Sequence, residues 1–394
     1  MQLKSNVSFE DTSIAFQAKS NNALRKANLL FSVVNSPLIN KLATGSVKLA
    51  LRLRLPITSI IKNTVFDHFC GGETIEESTA TIAQLAKFNI GTILDYSVEG
   101  EDDERSFDQT RDEIIRTIEE AAKSQHIPFS VFKVTGIANS DLLEKIQKGE
   151  TLTSDQDKAF ERVKNRMQSI CELAFNKSVP VLVDAEESWI QNTIDGLAYD
   201  MMKVFNKDKA IVYNTYQMYR SDMLDNLKRA FHYAAMGGYF LGTKLVRGAY
   251  MEKERDRAEA QGYPSPIHTT KRATDEYYDK GLAFCIDNKQ RIYVINGSHN
   301  EYSNYYLALL MEKYSMPNED PRVWFAQLYG MSENISFNLA KAGYNVAKYV
   351  PYGPVKSVMP YLFRRADENT SVAGQSSREL TLIRKELRRR KAES

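Results

Sequence analysis

The sequence predicts an α/β protein, a (β/α)8 barrel with an N-terminal helical region. Two observations carry this. From Asn89 onward, short runs rich in β-branched and aromatic residues alternate with longer stretches of helical period. Eight such units within roughly 260 residues suit a barrel of this kind. Alternation of strand and helix implies parallel pairing, so a doubly wound open sheet is the main alternative.

The stretch up to about Phe88 reads as helical throughout. Asn22–Val33 and Lys41–Leu55 show mixed helical periodicity, and Pro56 starts a further segment. Thr74–Phe88 places Glu76 and Glu77 in its first turn, where carboxylates meet the positive end of the helix dipole. Strands are expected near Gly91–Tyr96, Phe129–Thr135, Val179–Asp184, Ala210–Asn214, Gly242–Arg247, Arg291–Ile295, Val323–Leu328 and Asn345–Val350. Helical stretches between them include Thr110–Lys123, Asp155–Phe175, Met218–Ala235, Thr269–Asp287, Ser303–Lys313 and Ser332–Lys341. Glu99–Arg105 reads as an acidic loop after the first strand. This gives a helical region over 1–88, a barrel over 89–370 and a basic tail over 371–394. The tail carries Arg378, Arg384, Lys385, Arg388, Arg389, Arg390 and Lys391. Its ordinary reading is a solvated helix, and the alternative is weak attachment to an anionic membrane surface.

The chain has 394 residues, 43% of them hydrophobic, enough for a large core. A net charge of +2 with interspersed signs gives no general attraction to nucleic acid. Cys70, Cys171 and Cys285 are far apart and odd in number, which suits reduced thiols of a cytoplasmic protein. No Cys/His metal spacing, signal-peptide core or apolar run of membrane-spanning length is visible. The expectation is a soluble protein, at most peripheral on the inner face of a membrane.

Chemistry-bearing residues recur where strands end, the place of the active site in such barrels. Lys133 interrupts an apolar strand, and Asp184 closes another, followed by Glu186 and Glu187. Gln217 follows the fourth run. Lys244 and Arg247 flank Leu245 and Val246, and Gly248, Ala249 and Tyr250 follow at once. Asn296–Asn300, containing Ser298 and His299, follows the sixth run, and Gln327, Tyr349 and Tyr352 belong to the last two strands or their loops. Each has an ordinary reading: a snorkelling lysine for Lys133, a helix cap for Asp184, a surface loop for His299, a turn for Gly248. Near the C-terminus Tyr361, Arg364, Arg365 and Glu368 share one helical face, with Val355, Met359, Leu362 and Ala366 opposite. Paired guanidinium groups suit a small carboxylate, which they grip bidentately; alone, the pattern reads as a solvated face. Gly237–Gly242 has the wrong spacing for a dinucleotide fingerprint, and no P-loop is present. Arg247, Gly248 and the Ser298–Asn300 loop offer donors for phosphates.

Three motifs in combination resemble the proline dehydrogenases: Lys244–Tyr250 (KLVRGAY), Tyr349–Gly353 (YVPYG), and Tyr361–Arg365 (YLFRR) with Glu368 and Asn369. Lys133, Asp184–Glu186, Tyr216–Gln217 and Gln327–Met331 (QLYGM) fall in the expected order, so the resemblance covers about Phe66 to Asn369. It implies a distorted (β/α)8 barrel of TIM type, FAD, and oxidation of L-proline to Δ1-pyrroline-5-carboxylate. The style is that of the monofunctional branch, with no room for an aldehyde dehydrogenase domain. It implies electron transfer to a membrane quinone and a separate pyrroline-5-carboxylate dehydrogenase.

By the same resemblance, Arg364, Arg365 and Lys133 bind the proline carboxylate. Tyr349 and Tyr361 pack on the ring with Leu245 beneath it. Asp184 pairs with the cationic cluster, and Tyr250 helps close the site. Gln217, Lys244, Val246, Arg247, Gly248, Ala249, Ser298, His299, Asn300, Gln327, Arg365 and Glu368 contact FAD. Lys244 departs from the arginine of bifunctional relatives and lacks its fork. Gln327 lies one residue closer to its neighbours than in some relatives. Ser298 replaces threonine and keeps the hydroxyl.

Hydride leaves the carbon next to the ring nitrogen, which must lie about 3–3.5 Å from the acceptor atom. The clamp sets that register, and its positive charge favours the neutral amine. Tyr349 implies proline over 4-hydroxyproline, because a phenol there crowds a ring hydroxyl. The competing readings are a hydroxyproline dehydrogenase, a Schiff-base lyase using Lys133, and a non-enzymatic scaffold.

Overall fold

The computed structural model describes residues 7–34, 58–97, 102–371 and 375–393. The helix expected over Lys41–Leu55 lies outside these, as does the start of the acidic loop, while the segment expected after Pro56 is described from Thr58 onward. Eight strands follow one another in a closed barrel: β1 (Ile90–Tyr96), β2 (Phe129–Lys133), β3 (Val181–Asp184), β4 (Val212–Gln217), β5 (Leu241–Val246), β6 (Ile292–Gly297), β7 (Val323–Leu328) and β8 (Val346–Tyr352). Each expected strand is present, and the open-sheet alternative is excluded. Before β1 lie α1 (Thr12–Ala15), α2 (Asn21–Val34), short helical turns that follow one another from Thr58 to Phe69, and α3 (Ile75–Ala86). Between the strands run α4 (Glu104–Ala121), α5 (Ser140–Gln147), α6 (Ser154–Lys177), α7 (Ser188–Phe205), α8 (Met223–Gly237), α9 (Met251–Gln261), α10 (Lys271–Asp287), α11 (Glu301–Lys313) and α12 (Glu333–Lys341). After β8 come α13 (Val355–Ser371) and α14 (Gln375–Glu393).

Local chemistry sets many helix starts. Asp103, within the expected acidic loop, accepts the Ser106 N–H at 3.0 Å and caps α4. Thr153 and Gln156 form a reciprocal capping box on α6. Thr74, Asn139, Thr270 and Asn300 cap α3, α5, α10 and α11 with side-chain oxygens. β2 stops at Lys133 rather than Thr135 because Val134–Gly136 turns into a 3-10 helix.

The chain divides into two compact units. One takes in Gly100–Ala326, and the other joins Asn6–Glu99 to Gln327–Ser394. In the first, β2 to β7 pair in parallel in sequence order. The two-residue period of a strand sorts the side chains. Asn214 and Tyr216 face the helices, reaching Asp195 at 2.7 Å and the Tyr199 hydroxyl at 3.2 Å on α7. Phe129, Tyr213 and Trp324 meet on the other face, with centroids 5.6 and 5.2 Å from Phe129. Gly242 makes room for them, since a Cβ there meets the Tyr213 ring at 2.8 Å.

In the second unit β1 pairs with β8, from Ile90 opposite Val346 to Tyr96 opposite Tyr352. Its core gathers Phe16, Leu24, Phe31, Phe66 and Phe69 with Val358, Leu362 and Ile383. The basic tail is docked rather than solvated. Leu382 and Ile383 of α14 are buried, Arg390 donates to the Phe16 and Lys19 carbonyls at 2.8 Å each, and Lys385 donates to the Glu10 carbonyl at 2.8 Å. A buried ionic cluster lies in the same unit. Glu333 meets the Lys19 and Lys348 ammonium groups at 3.5 and 3.4 Å, and Glu379 accepts the Ser332 N–H at 3.1 Å. Burial, reinforced by Glu333, pushes the Glu379 carboxyl up to about 7, while burial draws His68 down to about 4. All three cysteines are buried thiols. Among the described residues no helix is long and apolar enough to cross a membrane, and no group of three acidic, His or Cys side chains is placed to hold a metal.

A carboxyl whose folded pKa is raised contributes stability below its ordinary value of 4.5 and loses that contribution as the pH rises to about 7. We therefore expect the melting temperature of wild type relative to Glu379→Gln to fall across that interval and level off above it. Parallel melting curves would contradict this assignment.

Candidate active site

The first unit places several expected site residues on one inner face. Lys133, last in β2, lies in register with Asp184, last in β3. Lys244 on β5 lies in register with Thr215 on β4 and Ile295 on β6. The Lys244 ammonium forms an ion pair with the Asp184 carboxylate, their side chains 5% and 16% exposed. So little solvent reaches the lysine that a carboxylate is required there. Asp184 is therefore a charge partner, and the N-cap of α7 is Glu187.

Gln217 ends β4 and is buried. Its carboxamide donates to the Glu186 carbonyl at 2.6 Å and accepts the Ala249 N–H at 3.2 Å. Glu186, also buried, accepts from both the backbone N–H (3.0 Å) and the hydroxyl of Thr135. Burial pushes its carboxyl up to about 7, against the Thr135 hydrogen bonds and the positive field of Lys133.

The end of β5 is held by residues from α10 and α11. The Arg247 guanidinium donates to Asp275 at 2.7 Å, to the Ser298 hydroxyl at 2.8 Å and to the Ser303 hydroxyl at 2.9 Å. It also lies over the Tyr278 ring, 4.4 Å from the centroid. Ser303 in turn donates to Asp279 at 2.6 Å. Gly248 has φ +136°, and a Cβ there falls 2.5 Å from the Tyr219 ring, so glycine is required at this turn. Ala249 is exposed. Tyr250 is buried at the start of α9, with the Lys253 ammonium 5.6 Å from its ring centre. α9 is fixed by Glu254, which accepts from the Ser188 N–H and hydroxyl at 2.6 Å each. Ser298 also accepts the Asn300 N–H at 3.1 Å, and Asn300 caps α11 through the Ser303 N–H at 3.0 Å. His299 is half-buried between them.

Leu245 is placed elsewhere than expected for a residue beneath a substrate ring. It points away from Lys244 and Val246, toward α10, and lies 3.3 Å from where a Cβ of Gly281 would be. The strand period requires this, because residues 244 and 246 share the opposite face.

In the second unit Tyr349 is buried on β8, and its carbonyl accepts the Tyr329 N–H at 2.8 Å. Gln327 is buried and accepts from the Ser336 hydroxyl at 2.7 Å. On α13, Val355, Met359 and Leu362 are buried as expected. Tyr361 is buried as well and Arg364 is half-buried, so this face is not simply solvated. The side chains of Arg365, Ala366 and Glu368 lie outside those described.

Thr135, Asp275, Asp279 and Ser303 were not singled out from sequence, and Glu186 was noted at its strand end without a role. The acid–Ala–acid order of Asp184–Glu186 was the available signal for Glu186; the residues bracing Arg247 sit on helices whose acidic surfaces look ordinary.

Buried and braced cations gathered at strand ends mark the candidate active site of a barrel enzyme. The family described as proline dehydrogenase matches residues 78–378. "Proline dehydrogenase 1, mitochondrial" of Dictyostelium discoideum is 33% identical over 429 residues, covering 96% of this chain and 74% of that protein. "Hydroxyproline dehydrogenase" of Xenopus laevis is 29% identical, covering 99% and 91%. The solved structure of proline utilization A from Bdellovibrio bacteriovorus, inactivated by N-propargylglycine, superposes with a TM-score of 0.71 at 22% identity. That superposition covers 92% of this chain but only 38% of the solved one, and shows the fold. The chain belongs to the proline dehydrogenase family, a family of oxidoreductases.

Asp184→Asn keeps the shape of the carboxylate and removes its charge, leaving the buried Lys244 ammonium uncompensated. Denaturant unfolding should show a loss of about 3 kcal/mol.

Proposed function

We propose that the chain oxidises L-proline to Δ1-pyrroline-5-carboxylate with FAD as its redox cofactor and a membrane quinone as final electron acceptor. The observation that supports this most is the end of β5. There the Lys244–Asp184 pair and the braced Arg247 set cations in fixed places beside the glycine turn at 248. This donor set fits an anionic dinucleotide: a guanidinium and hydroxyls for phosphate, and a turn that only glycine adopts. Bound FAD supplies the two-electron acceptor for oxidation of the carbon–nitrogen bond.

The chain's own residues do the rest. Arg247, Gly248, Ala249, Ser298, His299 and Asn300 hold the cofactor, with Gln217, Lys244, Val246, Gln327 and Glu368. Arg364, Arg365 and Lys133 take the substrate carboxylate, where planar guanidinium groups fix orientation as well as charge. The same positive charge lowers the pKa of the substrate ammonium, favouring the neutral amine that must lose hydride. Tyr349 and Tyr361 pack against the ring, and Tyr250 helps exclude water. Asp184 pairs with Lys244 and holds it in place. Leu245 is left out of this assignment because its side chain faces α10.

The product passes to a separate pyrroline-5-carboxylate dehydrogenase. Peripheral contact with the quinone-bearing membrane, for a cytoplasmic protein, rests in this reading on the exposed Arg388 and Lys391 of α14. The neighbouring Arg390 and Lys385 are used in contacts within the unit.

The likeness to a hydroxyproline dehydrogenase keeps that substrate as the second reading. Tyr349 favours proline, because a buried phenol crowds a ring hydroxyl. The test is steady-state oxidation of both substrates with a dye acceptor. Wild type should turn over L-proline preferentially, and Tyr349→Ser should shift the kcat/KM ratio toward 4-hydroxyproline by about tenfold or more. An unchanged ratio would refute the steric account, and no turnover of proline would refute the function.

A further inference from the structure

We propose that Glu186 is a positioning residue for this reaction: it locks the strand end carrying Lys133 to the strand end carrying Gln217. The inference rests on the reading of function just given. Glu186 follows β3 by two residues and is fixed on every side. Its N–H donates to the Gln191 side chain at 2.7 Å, and its carbonyl accepts from Gln217 at 2.6 Å. Both carboxylate oxygens accept from one residue, Thr135, through its N–H and its hydroxyl.

Thr135 lies in the 3-10 turn that begins directly after Lys133. The path of the chain out of β2 is therefore set by the Glu186 carboxylate, and with it the origin of the Lys133 side chain. On the other side Gln217 extends the connection to the turn after β5, accepting the Ala249 N–H at 3.2 Å. One acidic residue thus ties together the ends of β2, β3 and β4 and the glycine turn at 248.

A buried carboxylate is a demanding way to close a turn, and an apolar contact would hold Thr135 with less desolvation. The acid gives direction. Two acceptors at fixed separation fit one N–H and one O–H, so the Thr135 backbone cannot rotate without losing both bonds. The charged groups around the carboxyl are Lys133, which favours its ionised form, and Glu187, which opposes it.

The test uses the full-length holoenzyme and tetrahydrofuran-2-carboxylate, a ring carboxylate with oxygen in place of the amine, which reports carboxylate binding without turnover. Calorimetry gives its Kd, and dye-coupled kinetics give kcat and KM for proline. Glu186→Gln keeps the size and one acceptor for the Thr135 N–H, its NH2 donating to the Thr135 hydroxyl oxygen in place of the second acceptor, and should bind within about threefold of wild type, whereas Glu186→Ala should weaken binding about tenfold or more. Thr135→Val removes the hydroxyl at constant volume and should weaken binding about threefold, with the change in KM rather than kcat.

Unchanged binding in Glu186→Ala overturns the proposal, as does an equal loss in the Gln and Ala variants, since charge alone would then be acting. If the Ala variant does not fold, Thr135→Val decides: weakened binding supports the proposal, and unchanged binding overturns it. A wild-type protein that binds no ring carboxylate overturns the functional reading and this inference with it. Binding by wild type with no effect of the variants overturns the inference alone.

Discussion

An ammonium group shut inside a sheet is the constraint from which the inner face of the first unit follows. Lys244 sits on the inner face of β5 with almost no access to solvent, and Asp184 at the end of β3 is its ion-pair partner. The pair bridges two strands with β4 between them, so it fixes their relative height as well as the charge. Once Lys244 faces inward, the strand period sends Leu245 outward to α10 and Val246 inward. The chain then leaves the strand at Arg247 and Gly248 with its direction already set. Replacing such a pair with apolar residues often stabilises a protein, so its presence is better explained by position and field than by stability.

Beside this pair a second cation, Arg247, is held just as firmly by its neighbours. Arg247 is gripped by an acid, two hydroxyls and an aromatic face drawn from two helices and a loop. The glycine turn beside it is packed against Tyr219 so closely that a side chain does not fit. Such bracing limits the reorganisation a site must undergo on binding, which is where preorganised sites gain most over flexible ones. The second unit shows the same economy on α13, whose apolar face is buried with Tyr361 while Arg364 stays partly accessible.

The barrel was legible because its strands are buried on both faces and read as short apolar runs between helical stretches. Boundaries were less so, for reasons that lie in particular residues. β4 runs on through Asn214, Thr215 and Gln217, polar residues whose partners, Asp195, the Val183 carbonyl and the Glu186 carbonyl, come from distant positions. α9 is mostly charged and carries no apolar stripe to count. The basic tail looked like a solvated helix because its buried side chains, Leu382 and Ile383 among them, are few and its contacts are long-range. Of the site, motif order gave the cations and donors; it gave neither the face of Leu245 nor the bracing of Arg247, because both depend on three-dimensional neighbours.

The central claim, that these strand ends hold a flavin and oxidise proline, meets its most direct test in the visible spectrum of the purified protein, recorded anaerobically before and after L-proline is added. Flavin bands that bleach with proline and persist with 4-hydroxyproline are the expected result. A protein that is colourless and cannot be reconstituted with FAD, or whose flavin is untouched by proline, would contradict it.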